Sequence, residues 1–165
     1  MEKRQKRMTM ELYDILEKLQ IRYEEITHKA VYTVLEAEEV EKSIEGFGCK
    51  NLFLKDPKEK RYYLYILPDE KRADLKELSA KIGVKRLHFA SEEELFSVLK
   101  LTTGSVTPFG LLFDKEKQTT VLFDADLPKG KLLFHPNTNT KTLSIAFEDL
   151  IRFLEHIEGN YRLLA

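Results

Sequence analysis

The sequence predicts a single α/β domain of the α+β type, in which helices surround a mainly antiparallel or mixed sheet. Its 165 residues are close to the usual length of one domain, and 42% of them are hydrophobic, which is enough for an ordinary core. Helical and strand periodicities alternate along the chain without a repeat or a low-complexity linker. We therefore treat residues 1–165 as one domain, with residues 1–8 as a basic tail.

The first third of the chain is expected to form a helix, a strand and a second helix. Apolar residues recur at helical spacing over residues 12–19, after Thr9, which can cap the first turn. A short strand is expected around Tyr23–Thr27. The spacing of Thr33 and Glu36 then predicts the start of the second helix, because each side chain can accept a backbone N–H there.

The middle of the chain is predicted to form a β-hairpin and two further helices. Residues 50–55 and 61–67 are rich in strand-forming side chains, and Asp56-Pro57 between them favours a turn. Asp74-x-x-Glu77 and Ser91-x-x-Glu94 are two more capping signatures, and each predicts the start of a helix. Gly83 is placed to end the first of these helices, and a short strand is expected between them at residues 87–89.

Four strands and a last helix are predicted for the final third. The strands are expected at residues 111–113, 119–123, 132–135 and 142–146, and a charged turn joins the first two. The last helix has an apolar stripe, which consists of Phe147, Leu150, Ile151, Leu154 and Ile157.

Composition excludes several classes of protein. Cys49 is the only cysteine, so an intramolecular disulfide and a cysteine-rich zinc site are excluded. No apolar run approaches the ~18 residues of a membrane span, and the basic residues 1–10 form neither a signal peptide nor an anchor. These observations favour a cytoplasmic protein. The net charge of −1 implies that any contact with nucleic acid is confined to local basic clusters, such as residues 55–61.

Three segments depart from ordinary structural patterns. Lys50 and Asn51 begin an otherwise apolar strand, although the lysine could also extend to solvent. Residues 102–110 combine two glycines, a proline and several hydroxyl side chains in a loop that can approach a ligand closely. His135 ends a strand before a run of small polar residues and is a natural acid–base candidate. We interpret His28, His88 and His156 as structural, and Cys49 as a small buried residue rather than a nucleophile.

Five motifs occur in order between about residues 12 and 154. They are KNLFLKD from Lys50, DLK from Asp74, RLHFAS from Arg86, GSVTPFG from Gly104 and FHPNTNT from Phe134. Together these motifs resemble the prolyl-tRNA editing family. The resemblance is closest to its free-standing members, which are similar to the insertion domain of bacterial prolyl-tRNA synthetase and deacylate alanyl-tRNA(Pro). The segment HKAVYT from His28 resembles the one that leads into the pocket helix of that group.

The resemblance implies a fold, a reaction and partners. The fold is a central mixed, barrel-like sheet surrounded by helices, the aminoacyl-tRNA editing-domain fold. The reaction is hydrolysis of the ester between a wrong amino acid and the tRNA 3′ end, with no metal or other cofactor. The implied partners are the acceptor end of tRNA(Pro) and prolyl-tRNA synthetase, and we expect a monomer that does not contact a membrane.

The resemblance also implies the residues of the site. The catalytic residues are Lys50, which would contact the terminal adenosine and its phosphate, with Gly104 and His135. The substrate-binding residues are Asn51, Ser105, Val106, Thr107, Pro108, Thr138 and Asn139. An aminoacyl ester is already activated, so a positioned water and hydrogen bonds to the oxyanion can suffice for hydrolysis. We expect the loop of residues 104–108 to hold the amino acid and the water, with help from the 2′-hydroxyl of the substrate.

Two other functions fit the same residues. One is a cysteinyl-tRNA(Pro) deacylase, a related activity within the family. The other is a non-catalytic module that binds misacylated tRNA and leaves the ester intact. The motifs alone do not distinguish these alternatives.

Overall fold

The computed structural model describes residues 2–165. The helices are α1 (Glu2–Lys18), α2 (Val34–Glu41), α3 (Leu75–Ile82), α4 (Glu92–Leu99) and α5 (Phe147–His156). The strands are β1 (Tyr23–Thr27), β2 (Cys49–Asp56), β3 (Arg61–Pro68), β4 (His88–Phe89), β5 (Thr119–Phe123), β6 (Lys131–Phe134), β7 (Lys141–Ala146) and β8 (Asn160–Leu163). Two 3₁₀ helices cover Thr103–Ser105 and Pro108–Phe113.

The strands form two sheets. The smaller sheet is antiparallel, in the order β1-β7-β6. The larger sheet is mixed, in the order β4-β2-β3-β5-β8: β2 is antiparallel to both β3 and β4, whereas β3–β5 and β5–β8 are parallel. The expected mixed sheet with surrounding helices is therefore confirmed. Each sheet keeps two edge strands, so the expected barrel-like closure is not confirmed.

Strand β3 is buried on both faces, which explains its almost continuous apolar sequence. One face contributes Leu64 and Ile66 to the larger core, which also contains apolar side chains of α1, α4, α5, β6 and β7. The other face contributes Tyr63 and Tyr65 to a smaller core beneath α3. The central strand of the larger sheet thus joins the two cores.

The predicted helix caps are present. Thr33 accepts the N–H of Glu36 at 3.1 Å, and Asp74 accepts the N–H of Glu77 at 3.0 Å. Ser91 and Glu94 accept each other's backbone N–H groups, which completes a capping box. Gly83 ends α3 with φ of 78°, a left-handed conformation that glycine adopts without a steric cost.

The N-terminal helix is longer than expected. It begins at Glu2, so Thr9 lies inside the helix and is not its cap. We expected residues 1–8 as a basic tail; residue 1 lies outside the described residues, and residues 2–8 form the first turns of the helix, with Met8 buried in the larger core. The apolar stripe that predicts the helix therefore starts one turn before Leu12.

Residues 111–113 are not a strand but the end of the second 3₁₀ helix. Pro108 starts this helix, and Phe109 packs edge to face against Phe134 and Phe153, with ring centroids 6.1 and 5.2 Å apart. The expected hairpin to β5 is also wrong, because both edges of β5 are taken by parallel pairing with β3 and β8. Sequence reasoning missed β8, a short strand after the last helix.

A buried carboxylate beside β5 connects three segments. Asp124, only 5% exposed, accepts hydrogen bonds from the hydroxyl of Tyr65 and from Lys71 at 2.8 Å. Lys71 also contacts the exposed carboxylate of Asp126. Burial alone would raise the pKa of Asp124, but the hydrogen bonds from Lys71 and Tyr65 outweigh it and lower the pKa.

We predict that Asp124→Ala lowers the free energy of unfolding by about 2 kcal/mol or more, because Tyr65 and Lys71 lose a charged acceptor. Urea denaturation measures the change. Asp126→Ala is the matched control, since it removes a carboxylate that bonds the same lysine but is 66% exposed. We expect Asp126→Ala to change the free energy of unfolding by less than about 0.5 kcal/mol. Equal losses for the two variants would contradict a special role for the buried carboxylate.

The depressed pKa of Asp124 also predicts how this contribution depends on pH. Because the folded-state pKa lies below the unfolded value of about 3.9, the stabilisation is present above that pH. It is lost as the pH falls through the folded-state pKa. The stability difference between the protein and Asp124→Asn should therefore be constant from about pH 7 to 5 and shrink below about pH 4. A difference that grows in acid would refute this assignment.

Candidate functional site

A small cavity of about 120 Å³ lies where α2, the start of β2, the end of β3 and the end of β6 meet. One part of its wall is apolar and consists of Val31, Ala37, Val40, Leu133 and Phe134. The other part is polar and consists of Glu41, Cys49, Asn51, Asp69, His135 and Thr142. Two predicted site residues, Asn51 and His135, thus line the same cavity.

Strand alternation explains which residues of β2 face this cavity. Cys49 and Asn51 line it, and Phe53 follows on the same face in the larger core. Lys50 lies between them and therefore projects from the opposite face, the one that carries Leu52 into the smaller core. The structure does not bring Lys50 into the cavity with Asn51 and His135.

Asn51 presents an unused acceptor. Its side-chain oxygen Oδ1 is buried and has no hydrogen-bond partner within residues 2–165. Since burying a polar atom without a partner costs free energy, such an atom in a cavity wall is suited to accept a hydrogen bond from a ligand or a water.

His135 is held in one tautomer by the backbone. Its Nδ1 lies 2.9 Å from the carbonyl oxygen of Lys141, and because a carbonyl can only accept, Nδ1 carries the proton. Burial lowers the pKa of His135, which favours the neutral ring despite the hydrogen bond to Lys141. The neutral ring has an acceptor at Nε2.

His28, which we interpreted as structural, lies beside this ring. The two ring centroids are 6.1 Å apart. His28 hydrogen-bonds Thr142 in the cavity wall at 2.8 Å and the carbonyl of Lys29 at 2.7 Å. Its backbone N–H donates to the carbonyl of Thr140 at 2.8 Å. His28 therefore supports the cavity wall through Thr142, and the motif that begins at His28 was the sequence signal for it.

Glu41 and Asp69 form a carboxyl pair in the polar wall, which sequence reasoning missed. Burial raises the pKa of Glu41 to about 8, and a hydrogen bond with Asp69 and the negative charge of Asp69 add to this effect. Glu41 therefore retains its proton at neutral pH. Gly48 lies directly against both carboxyl groups, and a Cβ atom there would overlap them. Glu41 lies one helical turn after Ala37, which is the sequence signal that could have placed it in the wall.

Cys49 is not activated as a nucleophile. Burial raises the pKa of its thiol to about 12, and the charges of Asp69 and Glu41 contribute in the same direction. A thiol with this pKa stays protonated at neutral pH, whereas thiolate is the nucleophilic form. This agrees with the interpretation that Cys49 is not a nucleophile, although the residue is half-buried in the cavity wall and not fully buried.

Asn139 fastens the loop after β6 to the segment before α2. Its amide accepts the N–H of Val31 and donates to the carbonyl of Val31, each at 3.1 Å. Gly104 lies against this amide, since a Cβ on Gly104 would be 2.8 Å from Nδ2 of Asn139. Gly104 and Asn139 thus lie together at one side of the cavity wall, next to Val31.

The remaining predicted residues lie around this loop contact or behind it. Ser105 is buried, and its hydroxyl lies 3.4 Å from the carbonyl oxygen of Thr102. Val106 packs against the larger core, and Pro108 is buried at the start of a 3₁₀ helix. Thr107 is fully buried, and its hydroxyl has no partner in the described part of the chain. Thr138 lies 3.2 Å from the hydroxyl of Thr140, in a surface groove beside α1.

The basic cluster at residues 55–61 does not surround the cavity. It lies around the β2–β3 turn, and Lys55 is six positions along the strand from Cys49, roughly 20 Å. Lys55 is also paired with Glu94 at 2.6 Å. No lysine or arginine of the described residues lines the cavity itself.

The described residues contain neither a cluster suited to a metal ion nor a helix suited to a membrane. No three His, Cys, Asp or Glu side chains among them are arranged to hold a metal ion. None of their helices has both the length and the apolar character that crossing a membrane requires.

Comparison with known proteins identifies relatives along most of the chain. The family model of the aminoacyl-tRNA editing domain matches residues 28–153. Prolyl-tRNA editing protein ProX of Acetoanaerobium sticklandii is 40% identical over 141 residues, which cover 85% of this chain and 86% of that protein. Prolyl-tRNA synthetase associated domain-containing protein 1 of Danio rerio is 36% identical over 151 residues, covering 90% and 82% of the two chains.

The fold is also similar to a solved structure. A crystal structure described as that of a candidate trans-editing enzyme for prolyl tRNA synthetase superposes with a TM-score of 0.69. The match covers 95% of this chain and 96% of the other at 17% identity, so it supports the fold alone. The family-model match and the sequence relatives confirm the resemblance that the motifs predict: the chain belongs to the aminoacyl-tRNA editing domain family and is an aminoacyl-tRNA deacylase.

Proposed function

We propose that this protein is a trans-editing hydrolase of the cytoplasm that removes alanine from mischarged alanyl-tRNA(Pro) without a metal ion. The observation that carries the proposal is the small cavity with Asn51 and His135 in its wall. The relatives named for prolyl-tRNA editing support tRNA(Pro) as the tRNA of the substrate, and the small size of the cavity supports alanine as the amino acid.

The cavity is too small for a large side chain. Its volume of about 120 Å³ is below the ~150 Å³ of an apolar cavity that accommodates benzene. A methyl group fits easily beside Val31, Ala37 and Leu133, whereas the proline ring requires more of the same space. In this proposal the wall spares correctly charged prolyl-tRNA(Pro) by its size, because a rigid wall discriminates against a larger group more steeply than against a smaller one.

The proposed chemistry relies on positioning. Asn51 and the neutral ring of His135 orient the ester and the attacking water in the cavity. The loop of residues 104–108 supports this arrangement through the contact of Gly104 with Asn139, and the 2′-hydroxyl of the terminal ribose assists the water. Lys50, on the face of β2 opposite the cavity, binds the phosphate of the terminal adenosine. The carboxylic ester needs no covalent enzyme intermediate, which agrees with the protonated thiol of Cys49.

Cysteinyl-tRNA(Pro) is the second candidate substrate, since its side chain is also small. A binding module that leaves the ester intact is the third alternative and is favoured by no feature of the cavity. Prolyl-tRNA synthetase is the proposed partner for the supply of mischarged tRNA(Pro), and the hydrolase is proposed to act as a monomer.

We predict that the purified protein deacylates alanyl-tRNA(Pro) and leaves prolyl-tRNA(Pro) largely intact. Release of labelled alanine, cysteine and proline from the three charged forms of tRNA(Pro) measures this. EDTA should not change the rate, because the proposed mechanism uses no metal. Turnover of cysteinyl-tRNA(Pro) alone would favour the second candidate, and binding of all three without turnover would favour the binding module.

We also predict that Asn51→Ala and Lys50→Ala affect different kinetic constants. Asn51→Ala should lower kcat about tenfold or more, because it removes a group that orients the reacting ester. Lys50→Ala should raise KM with little change in kcat, because a phosphate contact is made equally in the ground and transition states. Steady-state kinetics with alanyl-tRNA(Pro) separates the two constants.

Lys58→Ala, in the distant β2–β3 turn, serves as the control for loss of a surface cation, and we expect it to change neither constant more than about twofold. A loss of kcat in Lys50→Ala equal to that in Asn51→Ala would place the lysine at the reacting ester. An unchanged KM in Lys50→Ala would refute the phosphate contact.

A further inference from the structure

The carboxyl pair of Glu41 and Asp69 has no role in the proposed chemistry, yet it lines the same cavity as Asn51 and His135. Neither carboxyl group is in an ion pair within the described part of the chain, and no lysine or arginine lines the cavity. The negative charge of the pair therefore has no cationic partner in the cavity. Since buried charges in proteins are normally paired, this arrangement is suited to a cationic ligand.

The acceptors around the pair match a primary ammonium group. An ammonium has three N–H donors and no acceptor. The cavity wall offers oxygen atoms of Glu41 and Asp69, and the side-chain oxygen of Asn51 is a buried acceptor without a partner. Gly48 leaves room for the two carboxyl groups to approach each other, because any side chain at this position would displace them.

We propose that Glu41 and Asp69, together with Asn51, bind the free α-ammonium group of the aminoacyl ester. This inference rests on the proposed function and deepens it, since it defines the substrate class. The enzyme then acts on esters of free α-amino acids and discriminates against esters whose α-nitrogen is acylated or replaced by oxygen. It would thereby spare peptidyl-tRNA, in which the nitrogen is part of an amide.

The contact between the two carboxyl groups makes the double variant E41Q/D69N the decisive one. Either single variant leaves one carboxyl group in the cavity wall with Asn51. Burial is the largest cause of the raised pKa of Glu41, so Asp69→Asn removes only part of this effect. The double variant replaces both carboxyl groups with neutral amides of almost the same size.

The test compares alanyl-tRNA(Pro) with lactyl-tRNA(Pro), in which a hydroxyl group replaces the ammonium at almost the same size. Single-turnover rates of deacylation are divided by the uncatalysed hydrolysis rate of the same ester, which removes the intrinsic effect of the ammonium on the ester. We expect the protein to prefer the alanyl ester by about tenfold or more, the usual range for hydrogen bonds to charged groups. The double variant should reduce this preference to less than about threefold.

Glu39→Gln is the matched control, because it removes a carboxylate from the same helix at a position that is 76% exposed and outside the cavity. It should leave the preference unchanged. Equal normalised rates for the two esters with the unmodified protein would overturn the inference while leaving the proposed function intact. This comparison uses only the unmodified protein, so it does not depend on whether a variant folds. A double variant that loses thermal stability but keeps the full preference would assign the pair a structural role and also overturn it. Absence of alanyl-tRNA(Pro) turnover by the unmodified protein would overturn the proposed function and the inference together.

Discussion

The register between β2 and β3 is the constraint on which the cavity depends. Cys49 pairs with Pro68 and Asn51 with Ile66, and the N–H of Asp69 donates to the carbonyl of Gly48 at 3.3 Å. This pairing places Asn51 in the cavity and carries Asp69 to the same end of the hairpin. A slip of one residue would turn Lys50 toward the cavity and Asn51 toward the face that carries Leu52. Because β3 is buried on both faces, such a slip would also exchange the residues of two hydrophobic cores, so the packing strongly opposes it.

Burial gives the cavity a consistent electrostatic character. It favours the neutral ring of His135, the protonated thiol of Cys49 and the proton that Glu41 retains. Each of these effects follows from the cost of a charge away from water. The wall therefore has hydrogen-bonding groups in defined states and a single negative charge near one end. Such groups need little reorganisation when a polar ligand enters, which is the condition for effective electrostatic positioning.

Local sequence signals predicted much of the fold. The caps at Thr33, Asp74 and Ser91 depend on side chains and backbone groups three residues apart, so the spacing alone is sufficient. The parallel pairing of β5 with β3 and β8 depends on contacts between distant segments, and no local pattern encodes it. For the same reason residues 111–113 were assigned to a strand: their apolar run fits either conformation, and the packing of Phe109 decides.

The site was predicted only in part, because its assembly also depends on contacts between segments that are distant in the sequence. The motifs identified the segments that converge, including the contact between Gly104 and Asn139. They did not distinguish neighbours on one strand, so Lys50 and Asn51 were grouped although alternation separates their side chains. Glu41 and Asp69 belong to charged segments that look like solvated surface, and only the meeting of α2 with the end of β3 places them together in the wall.

The opposite orientations of Lys50 and the carboxyl pair also bear on how an ester substrate is oriented. The tRNA end is a polyanion, and the amino acid attached to it has a cationic nitrogen. A cavity whose charge is negative repels phosphate and attracts ammonium, whereas a lysine on the opposite face of β2 does the reverse. Under the proposed function, the two charges therefore act on opposite ends of the substrate, and the ester lies between them beside Asn51. A lysine inside the cavity would neutralise the carboxyl pair and remove this polarity, so the alternation of β2 contributes to orientation as well as to packing.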